Sequence, residues 1–225
     1  MIAMKPPHKF FESFIDNDLD FLFDYLVEKQ SELLSGSLAP IPEDVLSKYN
    51  KDNGPTTQLG NYYNIFNFEN NEIKNLKISL SNLTKEACEY YNFNYEELDF
   101  MIHGWYNLDY KTYGSWDEKK QKIMAVNGGV SPINNAHSFH DHAEGTGAPI
   151  FHGYYCVNAE PSITFYKINK QVLFENHNKN NRAIVSETGH PHGRDDWYED
   201  KPRITIAYDI APKDSHVVTE LWTKL

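Results

Sequence analysis

The chain has 225 residues, a mass of 26.1 kDa and a formal net charge of -11 with a pI near 5.3, a length suited to one sizeable domain with its own core. Its acidity argues against direct nucleic-acid binding, because neutralising phosphates takes clustered Lys and Arg. A hydrophobic fraction of 40% and an aromatic fraction of 14% exclude a disordered polyelectrolyte. No apolar run reaches the roughly 20 residues that cross a bilayer, and Met1 to Lys9 lacks the apolar core of a signal peptide, so the expectation is a cytoplasmic protein with no membrane partner. The two cysteines, Cys88 and Cys156, form no CxxC pattern and read as small core residues in a reducing compartment.

From Phe10 to Leu34 the apolar positions Phe10, Phe14, Leu19, Leu22, Phe23, Leu26 and Leu33 recur mostly at steps of three or four, which predicts helix with a break near Asp16. After a Pro- and Gly-punctuated stretch, Ile73, Leu76, Leu80, Leu83 and Ala87 mark the buried stripe of a second helix. Residues 1–98 are thus read as an N-terminal helical extension packed on a catalytic domain of residues 99–225. From Asp99 onward short runs of Tyr, Phe, Ile, Val and Thr alternate with turn residues, the pattern of a β unit. Candidate strands are Phe100 to Leu108, Ala136 to His142, Phe151 to Asn158, Ile163 to Ile168, Arg182 to Ser186 and Arg203 to Asp209. The polar segment Lys111 to Asn135 reads as a long loop.

Seven of the ten histidines fall between His137 and His192. Within them, His140-Asp141-His142 is the sharper feature, because residues i and i+2 of a strand share a face and both imidazoles can reach one ion. His192, or His190 two residues earlier, supplies a distal ligand. Imidazole suits iron, zinc, copper and nickel alike; two His with one carboxylate is the usual open iron set, which keeps His142-x-Glu144 as a rival to His140-x-His142. Further on, Arg203-Ile204-Thr205-Ile206-Ala207-Tyr208-Asp209 alternates so that Arg203 and Thr205 share a face opposite Ile204, Ile206 and Tyr208. A guanidinium fork beside a hydroxyl is suited to a carboxylate.

Trp105-x-Asn107, His140-x-His142, Gly153-Tyr154-Tyr155-Cys156-Val157 and His192 followed eleven residues later by Arg203-x-Thr205 together resemble the 2-oxoglutarate- and iron(II)-dependent oxygenases often encoded by bacteriophages and marine bacteria. The resemblance spans about Phe100 to Pro212. It implies a mainly β fold with N-terminal helices, a double-stranded β-helix or cupin-like jelly roll. It further implies a dioxygenase with Fe(II) on His140, His142 and His192 as metal and catalytic residues, 2-oxoglutarate as a small-molecule co-substrate held at its C5 carboxylate by Arg203 and Thr205, and O2 as oxidant. The chain departs from the family pattern in carrying His152 where a Ser is usual, in a longer stretch from His142 to Gly153, and in the segment Lys111 to Asn135.

Two other readings stand beside it: a cupin-type metal enzyme using His140, His142, Glu144 and His192 without 2-oxoglutarate, and a non-catalytic jelly-roll binding domain. His137, out of phase with His140, is expected to face away. Tyr154 and Tyr155 are expected in the core, with Tyr hydroxyls as possible co-substrate contacts; Trp105 and Trp197 are expected to be packing residues, and Asp195, Asp196, Glu199 and Asp200 solvated charge. Nothing in the sequence names the substrate.

Overall fold

Strand alternation organises the molecule, and on one of its longest strands it sets Arg203 and Thr205 on one face. The computed structural model describes residues 8–47, 57–110, 114–117, 122–125, 140–142, 150–168 and 172–225, and is mainly antiparallel β-sheet with a few helices. The strands are β1 (Phe10–Phe14), β2 (Phe100–Asp109), β3 (Gly114–Asp117), β4 (Lys122–Ala125), β5 (Phe151–Asn158), β6 (Ile163–Ile168), β7 (Val172–His177), β8 (Arg182–Glu187), β9 (His192–Arg194), β10 (Arg203–Pro212) and β11 (Thr223–Lys224). The helices are α1 (Leu19–Leu34), α2 (Glu43–Leu46), α3 (Asn71–Tyr91) and α4 (Tyr95–Leu98), with 3-10 turns at Thr57–Tyr62 and Ile65–Asn67. Six strands form one sheet in the order β1-β8-β5-β10-β2-β11, three form a second in the order β7-β6-β9, and β3 with β4 forms a hairpin.

Along β10, Ile204, Ile206, Tyr208 and Ile210 are fully buried in the same core as Leu22 and Leu26 of α1 and Ile73, Leu76 and Leu80 of α3. Each large aliphatic side chain so buried contributes roughly 1.5–3 kcal/mol. Arg203, Thr205, Ala207 and Asp209 occupy the opposite face, as the alternation predicts. The register sets Thr205 between Asn107 of β2 and Cys156 of β5, and Asp209 between His103 and His152. Tyr154, Cys156 and Ile184 on this face pack with Tyr166 of β6, and Asn176 of β7 donates to the Tyr154 hydroxyl at 2.8 Å. The small sheet therefore lies across the large one, an arrangement compatible with a β-sandwich. Close approach fixes Gly153: a Cβ there would sit 1.7 Å from the Ile184 carbonyl oxygen and 2.8 Å from the Tyr208 ring.

The expected second helix forms, buried along Ile73, Leu76, Leu80, Leu83 and Ala87, with Asn70 capping it by accepting from the Ile73 N–H at 3.1 Å. The N-terminal expectation fails at Phe10 to Phe14. That segment is a strand, paired antiparallel with β8 from Phe10 opposite Ser186 to Phe14 opposite Arg182. Phe11 is buried against Tyr90 and Tyr91 of α3, while Phe10 packs on Tyr166 and Phe174 from the other face. Consecutive phenylalanines on opposite faces need a strand, and the pairing also covers the backbone of β8. Helix α1 starts only at Leu19, where Asp18 accepts from the Phe21 N–H at 3.0 Å.

Two other expectations change, and a third lies largely outside the described residues. The loop read across Lys111 to Asn135 contains the β3–β4 hairpin; the rest of it lies outside the described residues. Of the strand expected at Ala136 to His142, only His140, Asp141 and His142 are described, and His140 forms an isolated bridge with His192. Asp196, expected to be solvated, is 8% exposed, and half-buried Asp195 accepts from the Ile163 N–H at 2.9 Å. Cys88 and Cys156 are buried free thiols, which burial pushes up to about 12 and about 11. Among the described residues no helix is long and apolar enough to cross a membrane.

Candidate metal centre

Two short backbone segments meet at the edge of the small sheet. The His140 N–H donates to the His192 carbonyl at 3.0 Å and the His192 N–H donates back at 2.8 Å. This reciprocal pair puts the two side chains next to each other. His142 lies two residues beyond His140, and the ring centroids are 4.5 Å apart for His140 and His192, 5.2 Å for His142 and His192, and 5.5 Å for His140 and His142. Ring nitrogens of all three lie within 4.8 Å of one another, so modest rotamer adjustment lets each reach a common ion. His140 is exposed whereas His142 and His192 are half-buried, which leaves one side of such an ion open.

Neighbouring groups orient the rings. Asp209 on β10 approaches His142 Nδ1 with its Oδ1 at 2.7 Å, a contact that keeps a proton on Nδ1 and leaves Nε2 to ligate. The His190 carbonyl lies 3.4 Å from His192 Nδ1 and does the same for that ring. Trp105 stacks on His142, with centroids 6.1 Å apart and planes inclined by 12°. Behind the trio sits His152, buried, its Nε2 3.1 Å from the Ser186 hydroxyl and its ring 4.9 Å from both His142 and His192.

Electrostatics favour neutral imidazoles at the back of this cluster. Burial, helped by the neighbouring His140 and His142, pushes His192 down to about 3. Burial, and then the His192 and His142 rings, hold His152 well below the usual histidine value. Burial also pulls on His142, but the Asp209 carboxylate outweighs it and the net shift is upward. A carboxylate that makes an imidazole more basic also makes it a better metal donor. The donor set thus fits a borderline divalent cation such as iron or zinc.

Arg203 and Thr205, expected to hold a carboxylate, are placed differently from a free fork. Arg203 is 4% exposed; its Nε donates to the Ser162 hydroxyl at 3.1 Å, and its Nη1 to Asp109 at 3.2 Å and to the Thr205 hydroxyl at 3.4 Å. Arg194 donates to the other Asp109 oxygen at 2.6 Å. Arg194 follows His192 by two residues on β9, so one strand presents a candidate ligand and a guanidinium on the same face.

The sequence reading brought His140, His142 and His192 together, and the structure clusters them. It puts Arg203 and Thr205 side by side on the face shared with Asp209. His190 stands apart from the trio, beside His8 and Glu187. Glu144 and His137 lie outside the described residues. Tyr154 shares the site face, whereas Tyr155 faces the helical side and donates to Asn181. Trp197 is a packing residue, its indole N–H on the Lys201 carbonyl at 2.8 Å. Sequence reasoning missed Asp209, Asp109, Arg194 and His152. The strand parity that linked Arg203 to Thr205 continues to Asp209 and held the signal for it; Asp109 and Arg194 carried none. No protein-family model and no curated protein matches the chain.

Proposed function

We propose that the chain is a 2-oxoglutarate- and Fe(II)-dependent dioxygenase on a double-stranded β-helix, with His140, His142 and His192 as iron ligands. The observation that carries this reading is the convergence of three imidazoles from two hydrogen-bonded segments, one oriented by Asp209, beside Arg194 of β9, which shares Asp109 with Arg203 of β10. The metal, when bound, would supply activation of O2 coupled to oxidative decarboxylation of the 2-oxo acid. The protein's part is to hold, orient and shield.

His142 and His192 offer Nε2 because Asp209 and the His190 carbonyl occupy their Nδ1 sides. Arg203, fixed by Ser162 and Thr205, turns its guanidinium toward the site face and would take the far carboxylate of the co-substrate in exchange for Asp109. Asp109 keeps a partner in Arg194 during that exchange. Trp105, Tyr166 and His152 wall the inner side of the trio and exclude water from it.

A second reading is favoured by one specific observation: the Arg203 fork already has Asp109, Ser162 and Thr205 as partners. That suits a cupin-type metal enzyme that uses no 2-oxoglutarate. Anaerobic titration of the metal-free protein with ferrous iron and then 2-oxoglutarate separates the two. A weak visible charge-transfer band, lost in Arg203→Ala, supports the dioxygenase; iron binding with no band supports the cupin-type enzyme. Failure of the wild type to bind iron sinks both.

A further inference from the structure

We propose that His8, Glu187 and His190 form a second metal site, for a divalent first-row cation of the zinc class, that fastens the segment ahead of β1 to the β8–β9 connection. It lies outside the trio assigned to iron and does not depend on that assignment. One potential ligand atom from each of the three residues falls within 4.8 Å of the others, and all three side chains are half-buried. The His8 and His190 rings meet edge to face with centroids 4.0 Å apart.

The fold explains why residues so distant in sequence meet. β1 runs antiparallel to β8 with Phe10 opposite Ser186, so the residues just before Phe10 run alongside those just after Ser186. His8 thereby comes up to Glu187. Gly189, at φ 91, turns the chain sharply between Glu187 and His190, a conformation in which other residues are strained. The turn returns His190 to the same spot. Phe10 then packs against the His8 ring at 4.8 Å, T-shaped, and limits its rotation.

The chemistry is that of a metal site. Two imidazoles and one carboxylate are the donors of open zinc and iron centres, and three protein ligands leave room for water. Partial burial holds the side chains in place, and ligands drawn from a strand end, a turn and the segment before an edge strand make binding a cross-link between them. The two candidate sites are neighbours through the His190 carbonyl on His192 Nδ1, yet they share no ligand.

The test is metal stoichiometry on the full chain. Metal-free protein is titrated with Zn2+ against a chromophoric chelator, and with Co2+ followed by visible absorption. The wild type is expected to bind about two ions; His8→Ala and Glu187→Gln are each expected to bind about one, as is the double variant His140→Ala/His192→Ala. Zinc should also raise the melting temperature of the double variant, and that rise should vanish when Glu187→Gln is added. Glu187→Gln nearly preserves shape, so it decides if His8→Ala does not fold. Wild-type stoichiometry in both His8→Ala and Glu187→Gln overturns the proposal. A single wild-type ion lost only with His140 and His192 also overturns it and leaves the iron site standing, whereas a single ion lost only with His8 or Glu187 upholds it and removes the iron site.

Discussion

Asp209→Asn tests the proposed metal centre through a residue that touches no metal. The carboxylate lies 2.7 Å from His142 Nδ1, and the two side chains are 16% and 12% exposed. A hydrogen bond to a charged group in such a setting is worth about 1.5–3 kcal/mol. Carboxylates behind ligating histidines typically affect metal affinity by about 10–100-fold, or about 1.4–2.7 kcal/mol, so the two routes agree. Asn retains an acceptor and therefore keeps the ring orientation while losing the charge. The expected result is a zinc or cobalt Kd for the His140–His142–His192 centre weakened by about tenfold in Asp209→Asn and nearer a hundredfold in Asp209→Ala. Because Asp209 raises the His142 pKa, it favours the proton as well as the metal. The loss is therefore greatest at about pH 8 and shrinks as pH falls through the histidine range. Chelator competition at several pH values measures it. An unchanged Kd at about pH 8, or a loss that grows on acidification, would refute the reasoning.

Four further outcomes are expected. Arg203→Ala leaves Asp109 with Arg194 alone, and it should destabilise the protein by about 3 kcal/mol in urea unfolding as well as abolish co-substrate binding. Arg203→Lys should keep more of the stability than of the binding, because it keeps the charge and loses the fork; equal recovery of both contradicts a bidentate role. Gly153→Ala drives a methyl into the Ile184 carbonyl, so it should cost more than about 4 kcal/mol or leave no folded protein, and a wild-type melting temperature refutes the register of β5 on β8. Finally, burial depresses the pKa values of His103, His152 and His192, the last to about 3, so below about pH 6.5 the unfolded chain binds protons that the folded chain refuses. Stability of the metal-free protein is then full above about pH 7 and falls on acidification by up to about 1.4 kcal/mol per unit for each such group, His142 contributing with the opposite sign. A urea midpoint no lower at about pH 5.5 than at about pH 8 contradicts neutral buried imidazoles.

What could be read from the sequence was whatever repeats over enough residues to show a period. The stripe of α3 and the alternation of β10 do so, and the faces they assign are those observed. Phe10–Phe14 is five residues long, and phenylalanines at its two ends satisfy a helical step as well as a strand. Only Ser186 and its neighbours, far along the chain, decide between them. β9 is three residues long and has no period at all, although it carries both His192 and Arg194. The clustering of His140 with His142 was legible because the two residues sit two apart in sequence. Strand parity gave the face of Asp209 but not its role, since that depends on His142 arriving from another part of the chain, and an acidic residue on a strand looks alike whether it faces water or an imidazole.

Asp109 changes what it means for Arg203 to be buried. A guanidinium held ready in a dry pocket is costly whenever its ligand departs, because a cation is then left unpaired. Asp109 works as a stopper against that. Its two oxygens touch two different arginines, at 3.2 Å and 2.6 Å, so it can let go of one while staying tethered to the other. Under the proposed function, an incoming carboxylate at Arg203 would meet a competitor, and a departing one would be replaced by it. Affinity at this position would then be a contest between two carboxylates for one fork.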